Sequence, residues 1–246
     1  MFDKNFNQDS LNNELIEAVM KSDITKVRKL FSQEPVPFID TEINGIPAIM
    51  YAAQHKNWDL VEEFYNLGAD LDAKVPYLQW YLLHECIKSA PDRVTKAIID
   101  YCNVNAQTKD GKTAIMIAIE ENKIAMAEYL IDSGKIDLSL TDKKHNNAAH
   151  YAAKNLQYDL LIKLIQTGTP INKKNLDGKT PIDLISDVSF KENLPKVLGE
   201  LAKIDKTKNN LNTVIKEETK IIQENQEKKE EIKPKVSGLS SIKRRL

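Results

Sequence analysis

The chain has 246 residues, a formal net charge of −1 and 41% hydrophobic residues, enough apolar content for a continuous core. No apolar run approaches the ~20 residues that span a bilayer, and the opening Met-Phe-Asp-Lys-Asn-Phe-Asn has no apolar leader segment, so a cytoplasmic protein is expected. The two cysteines, Cys86 and Cys102, lie close together in the chain and read as reduced thiols rather than a disulfide framework.

One pattern recurs six times along the chain. Each copy has a polar or glycine-containing turn, a short apolar stretch rich in small residues, and a second apolar stretch at helical spacing. Most copies close on another turn. Equivalent positions fall at Ile16, Met50, His84, Met116, His150 and Asp183, with spacings of 34, 34, 32, 34 and 33. A period in this range means stacked helical units.

Taken in order, the first copy, around Ile16, lacks its turn. The second runs from Asn44-Gly45 through Ala52-Ala53 to an outer helix with Leu60, Val61 and Phe64, and closes on Gly68-Ala69-Asp70-Leu71-Asp72-Ala73. The third is reached through a longer finger, with Val75-Pro76 inserted, that carries Tyr77, Leu78 and Trp80. It has no turn glycine and places Cys86 where the others have alanine; its closing turn is Asn103-Val104-Asn105-Ala106. The fourth opens on Asp110-Gly111 and continues with Met126, Tyr129 and Leu130. The fifth opens on Asn146-Asn147 and continues with Leu160, Leu161, Leu164 and Ile165. The sixth, Asp177-Gly178-Lys179-Thr180-Pro181, loses its closing turn. Gly68, Gly134 and Gly168 follow the outer helices, where a left-handed C-cap residue belongs.

These residues resemble the ankyrin repeat. Thr180-Pro181-Ile182 matches its Thr-Pro-Leu element, Leu83-His84 and Ala149-His150 keep its histidine, and Gly68–Ala73 is nearly its full closing signature. The resemblance covers about residues 12 to 200 and implies an all-α solenoid of about five to six repeats with hairpin-like fingers and degenerate end copies. It divides the chain into an N-terminal extension (1–11), the repeat domain (12–204) and a charged tail (205–246). It also implies that His84 and His150 tie turn and helix backbones together, and that binding uses the face formed by the fingers and inner helices.

The tail holds eleven Lys and Arg against seven Asp and Glu, a net +4 that leaves −5 on residues 1–204. It reads either as disordered or as one amphipathic helix around Leu211, Val214, Ile215 and Ile222 that caps the last repeat. Glu224, Glu227, Glu230 and Glu231 precede a C-terminus of Ser240-Ser241-Ile242-Lys243-Arg244-Arg245-Leu246. This resembles the translocation signals of effectors exported by intracellular bacteria such as Legionella; the competing reading is a solubilising or partner-binding tail.

No motif compels catalysis. Gly111-Lys112-Thr113 and Gly178-Lys179-Thr180 end like phosphate-binding loops, but Ala106 and Lys173 occupy the positions where the further glycine is required. His84-Glu85-Cys86 lacks the spacing of a metal site, and Cys86 points away from His84 on a helix. No Ser-His-Asp constellation is visible. A non-enzymatic module with no cofactor and no metal is therefore expected. Lysines crowd the turns, yet Asp70, Asp72, Asp110, Asp142 and Asp177 interleave with them and oppose a nucleic-acid reading.

On the register implied by the resemblance, contacts with a protein partner fall at Tyr77, Leu78 and Trp80 on one finger, at Lys109, Asp110, Lys112, Lys143, Lys144 and Asn146 on the next two, and at Glu120, Glu121, Lys154 and Asn155 at the ends of inner helices. Aromatic residues on a finger suit a hot spot, although Trp80 and Tyr81 can equally fold back on the third repeat. The remaining positions make a mixed polar groove, suited to a polar protein segment bound by a monomer.

Overall fold

Small and apolar residues at helical spacing produce paired helices throughout. The computed structural model describes residues 4–200, with side chains from residue 8. Met1–Lys191 form one compact unit and Glu192–Leu246 a second, of which residues 192–200 are described and helical. The expected tail at 205–246 lies outside the described residues.

Five helix pairs occupy the first unit. The inner helices are α1 (Lys4–Met20), α3 (Ala48–Gln54), α5 (Leu82–Ser89), α7 (Ala114–Glu120) and α9 (Ala148–Lys154). Their outer partners are α2 (Ile24–Phe31), α4 (Trp58–Asn66), α6 (Asp92–Tyr101), α8 (Ile124–Asp132) and α10 (Tyr158–Gln166). Each inner helix packs on the next inner helix and each outer helix on the next outer one, giving a two-layer stack. Residues 4–11, set apart in sequence as an extension, lie within α1.

The inner layer is close-packed because its contacts are small: Ala48, Ala52, Ala53, Ala114, Ala118, Ala148, Ala149, Ala152 and Ala153 are all buried. Larger side chains fill the space between layers, with Leu60, Val61, Phe64, Ile98, Ile99, Leu130, Leu161 and Leu164 essentially inaccessible to water. Burial of each such side chain is worth roughly 1.5–3 kcal/mol against exposure.

Within four pairs the inner helix ends in a residue of left-handed conformation: Ser22, Lys56, Asn122 and Leu156. The following residue starts the outer helix, and at Asp23 and Asn57 its side chain accepts a backbone N–H from the first turn. The third pair turns instead through Ala90-Pro91, with Ala90 extended, because the backbone before a proline disfavours the helical region.

Two fingers are short antiparallel hairpins. In the first, β1 (Glu42–Ile43) pairs with β2 (Ile46–Pro47) around Asn44-Gly45. In the second, β3 (Lys74–Val75) pairs with β4 (Trp80–Tyr81), with Lys74 opposite Tyr81 and Val75 opposite Trp80. The later fingers are hydrogen-bonded turns. The sixth copy departs from its pattern: a single 3-10 turn, Ile182–Leu184, stands where an inner helix is expected. Asp183 accepts from both the backbone N–H and the hydroxyl of Thr180, which closes this turn locally, and Ile185 is already extended.

Candidate functional site

The fingers are locked to one another by main-chain hydrogen bonds. Lys109 N–H donates to the Leu78 carbonyl at 2.9 Å, Lys143 N–H to the Asp110 carbonyl at 2.9 Å, and Leu176 N–H to the Lys144 carbonyl at 3.0 Å. Side chains add to this ladder. The Gln107 amide donates to the carbonyls of Gly111 and Thr141, and the Asn175 amide to Asn146 Oδ1.

Three fingers repeat one internal device. Thr108 Oγ1, Asp142 Oδ1 and Asn175 Oδ1 each accept the backbone N–H four residues on, from Lys112, Asn146 and Lys179. A short side-chain oxygen at this position holds the turn from inside. Asp142 takes the role furthest. It is only 6% exposed, and its carboxylate accepts from the backbone N–H groups of Lys144 (2.9 Å) and Asn146 (2.7 Å), the Asn146 amide (3.2 Å) and the Tyr151 hydroxyl (2.9 Å). In sequence it reads as one of several solvated acids breaking up the lysines; in the structure it is a buried hub, because four donors compensate its loss of water. Burial first, and then the Asp142 carboxylate, push the Tyr151 phenol well above its ordinary range, so it stays a donor.

His84 and His150 staple successive repeats. Nδ1 of His84 accepts from Tyr81 N–H at 3.2 Å, and its Nε2–H donates to the Ala106 carbonyl at 3.1 Å. His150 does the same with Asn147 N–H and the Lys179 carbonyl, both at 3.2 Å. Each imidazole thus links its own helix start to the next finger, as the ankyrin resemblance implies. Burial holds both rings below the usual histidine range, His84 at about 4, so they are neutral near pH 7.

Between the second and third of the locked fingers and helices α7 and α9 lies an open groove of about 380 Å³. Its walls include Asp110, Lys112, Glu120, Lys143, Lys144, Asn146 and Lys154, all expected from sequence, together with Asp142, His150 and Tyr151. Lys112 bridges it: the ammonium donates to Glu120 at 2.8 and 2.6 Å and lies 5.7 Å from the centre of the Tyr151 ring. Lys109, Glu121 and Asn155 are exposed but do not line this groove; the Asn155 amide reaches back to the Ile119 carbonyl.

The aromatic finger stands apart from the groove and joins it through the Leu78–Lys109 bond. Tyr77 is 72% exposed and Leu78 43%. Trp80 is half-buried: its indole N–H donates to Glu85 Oε2 at 3.0 Å and its ring lies 5.3 Å from that of His84. Of the two aromatics, Tyr77 is the free one and Trp80 supports the hairpin.

The two thiols are unpaired and held in the protonated form. Cys86 is buried and raised far above its ordinary range by that burial, and burial likewise pushes Cys102 up to about 12. Among the described residues no group of three or more His, Cys, Asp or Glu side chains is arranged to hold a metal ion, and no helix is long and apolar enough to cross a membrane.

Comparison with known proteins finds the same kind of repeat. Residues 83–175 match a family model described as ankyrin repeats (3 copies). The chain is similar to alpha-latroinsectotoxin-Lt1a of Latrodectus tredecimguttatus, with 30% identity over 81 residues, covering 33% of this chain and 6% of that protein. It is also similar to protein glp-1 of Caenorhabditis elegans, with 28% identity over 134 residues, covering 49% of this chain and 10% of that protein. The chain thus spans only a small fraction of the length of these relatives, and the likeness is one of repeats. Helix pairs, finger ladder, histidine staples and family match agree, and residues 83–175 are ankyrin repeats within a stack of like helix pairs.

Proposed function

We propose that this chain is a non-catalytic, monomeric adaptor that captures a protein partner on its finger face. Ankyrin repeats generally mediate protein–protein interaction. The observation that carries the reading is the finger ladder, Lys109 to Leu78, Lys143 to Asp110 and Leu176 to Lys144, which holds a polar groove and an exposed tyrosine in one rigid frame. A preorganised face loses little conformational entropy on binding. The groove is open, a geometry for contact rather than for enclosing a reacting group.

The test uses the purified chain as bait in a bacterial and a eukaryotic lysate, beside Tyr77→Ala. A stoichiometric partner lost in the variant supports the reading; retention of every partner by the variant, or capture of none, counts against it.

The finer reading is a bacterial effector acting on a host protein. It rests on the glutamates at 224, 227, 230 and 231 and the basic C-terminus. A reporter fusion should enter host cells and fail to do so without residues 205–246. A bacterial partner alone would favour a housekeeping adaptor.

A further inference from the structure

Charge is not spread evenly over the repeats. The three consecutive fingers at 108–112, 142–146 and 173–179 carry seven lysines against Asp110, Asp142 and Asp177, a net +4 on a domain whose residues 1–204 total −5. The ladder bonds bring these fingers side by side. Composition alone averages this contrast away.

Inside the groove, most of the acids are already occupied. Glu120 is paired with Lys112, and the Asp142 carboxylate is buried under four donors. Lys143, Lys144 and Lys154 have no side-chain partner among the described residues. Asp110, at the rim, is the one groove carboxylate left without a side-chain partner among them. Three unpaired ammonium groups therefore line a space of about 380 Å³, room for a short run of side chains. At the other end of the ladder stand Tyr77 and Leu78, apolar and exposed.

We infer that the groove takes an acidic peptide segment of the partner, with its carboxylates among Lys143, Lys144 and Lys154 and an apolar residue on Tyr77 and Leu78. This rests on the protein-binding reading above and names the chemistry of its ligand. Each ammonium gains a charge-assisted hydrogen bond from a carboxylate it meets, which offsets the cost of partly desolvating it at an open, water-facing groove. A nucleic acid fits less well. A phosphate backbone carries charge at every step and would meet Asp110 between Lys109 and Lys112. A peptide can place an N–H or hydroxyl there instead.

The test selects a random peptide library against the full chain and against Lys143→Glu/Lys144→Glu, with thermal unfolding as the control for folding. Selected peptides should be enriched in aspartate and glutamate, with an apolar residue on one side of the acidic run. Replacing their acids by the corresponding amides, or reversing the two lysines, should weaken binding by about ten-fold or more, and added salt should weaken it too. Lys143→Gln/Lys144→Gln should weaken it less. Selected peptides without acidic enrichment, indifference to the amide swap, or displacement by an oligothymidylate at lower concentration than by free acidic peptide would each overturn the inference. Peptides lost on Tyr77→Ala but unaffected by the lysine reversal would overturn it and leave the protein-binding reading standing. Selection of nothing, with no partner in either lysate, would remove both.

Discussion

The Tyr151 hydroxyl donates to Asp142 Oδ2 at 2.9 Å, tying inner helix α9 to the finger in front of it. This bond forms one wall of the groove and keeps a buried carboxylate satisfied. Tyr151→Phe removes a single donor to a charged group and should cost about 1–2 kcal/mol. Asp142→Ala strips the acceptor from two backbone N–H groups as well and should cost more, about 3 kcal/mol. Urea unfolding of the two variants checks the order; equal costs would mean that the phenol carries the whole interaction.

Stability should fall with acid before the carboxylates titrate. His84 has a folded value of about 4 against an ordinary 6.5, so the unfolded chain binds the proton first. The neutral ring's contribution is fully present above pH 6.5 and is lost as pH falls from 6.5 toward 4. His150 is shifted in the same direction. Between pH 7.5 and 5, His84 alone should account for about 2 kcal/mol. Denaturant midpoints at the two pH values measure the loss, and His84→Gln should flatten the difference while lowering stability at both.

Gly111 and Gly178 occupy equivalent turns with φ of +80° and +72° but unequal surroundings. A Cβ on Gly111 would lie 3.0 Å from Asp142 Cα and 3.1 Å from Lys143 N, whereas one on Gly178 meets nothing within 4 Å. Gly178→Ala should therefore cost only the backbone term, about 1 kcal/mol. Gly111→Ala should cost about 2–3 kcal/mol, since it also forces two fingers apart. Melting temperatures of the pair decide it; equal shifts would show that the close approach relaxes freely.

The finger aromatics should separate cleanly. Tyr77→Ala removes an exposed ring and should change stability by less than about 0.5 kcal/mol while weakening partner binding. Trp80→Ala loses the bond to Glu85 and the contact with His84, and should cost about 1–3 kcal/mol. Calorimetry beside partner titration distinguishes an anchor from a support, and a large stability loss in Tyr77→Ala would remove it from the site.

What the sequence determined by itself was the repeat. Spacing of small and apolar residues is a local property, and it placed the helix pairs and the left-handed glycines in register, while the ankyrin resemblance implied the two histidine staples. The register implied by the ankyrin resemblance named Asp110, Lys112, Glu120, Lys143, Lys144, Asn146 and Lys154, and the structure places these seven around one groove. Asp142 and Tyr151 were not legible as a pair. The available signal was the short oxygen-bearing side chain at Thr108, Asp142 and Asn175, spaced 34 and 33 residues apart, yet burial of one of the three depends on a phenol arriving from the next helix. The fate of Trp80 was equally open, since its two environments differ only in where Glu85 and His84 stand. The weak sixth copy looked like an inner helix until Asp183 was seen closing its own turn on Thr180. Periodicity reports which face a residue is on; only tertiary structure decides which polar groups meet there, because one hydrogen bond more or less sets whether a charge is buried or free.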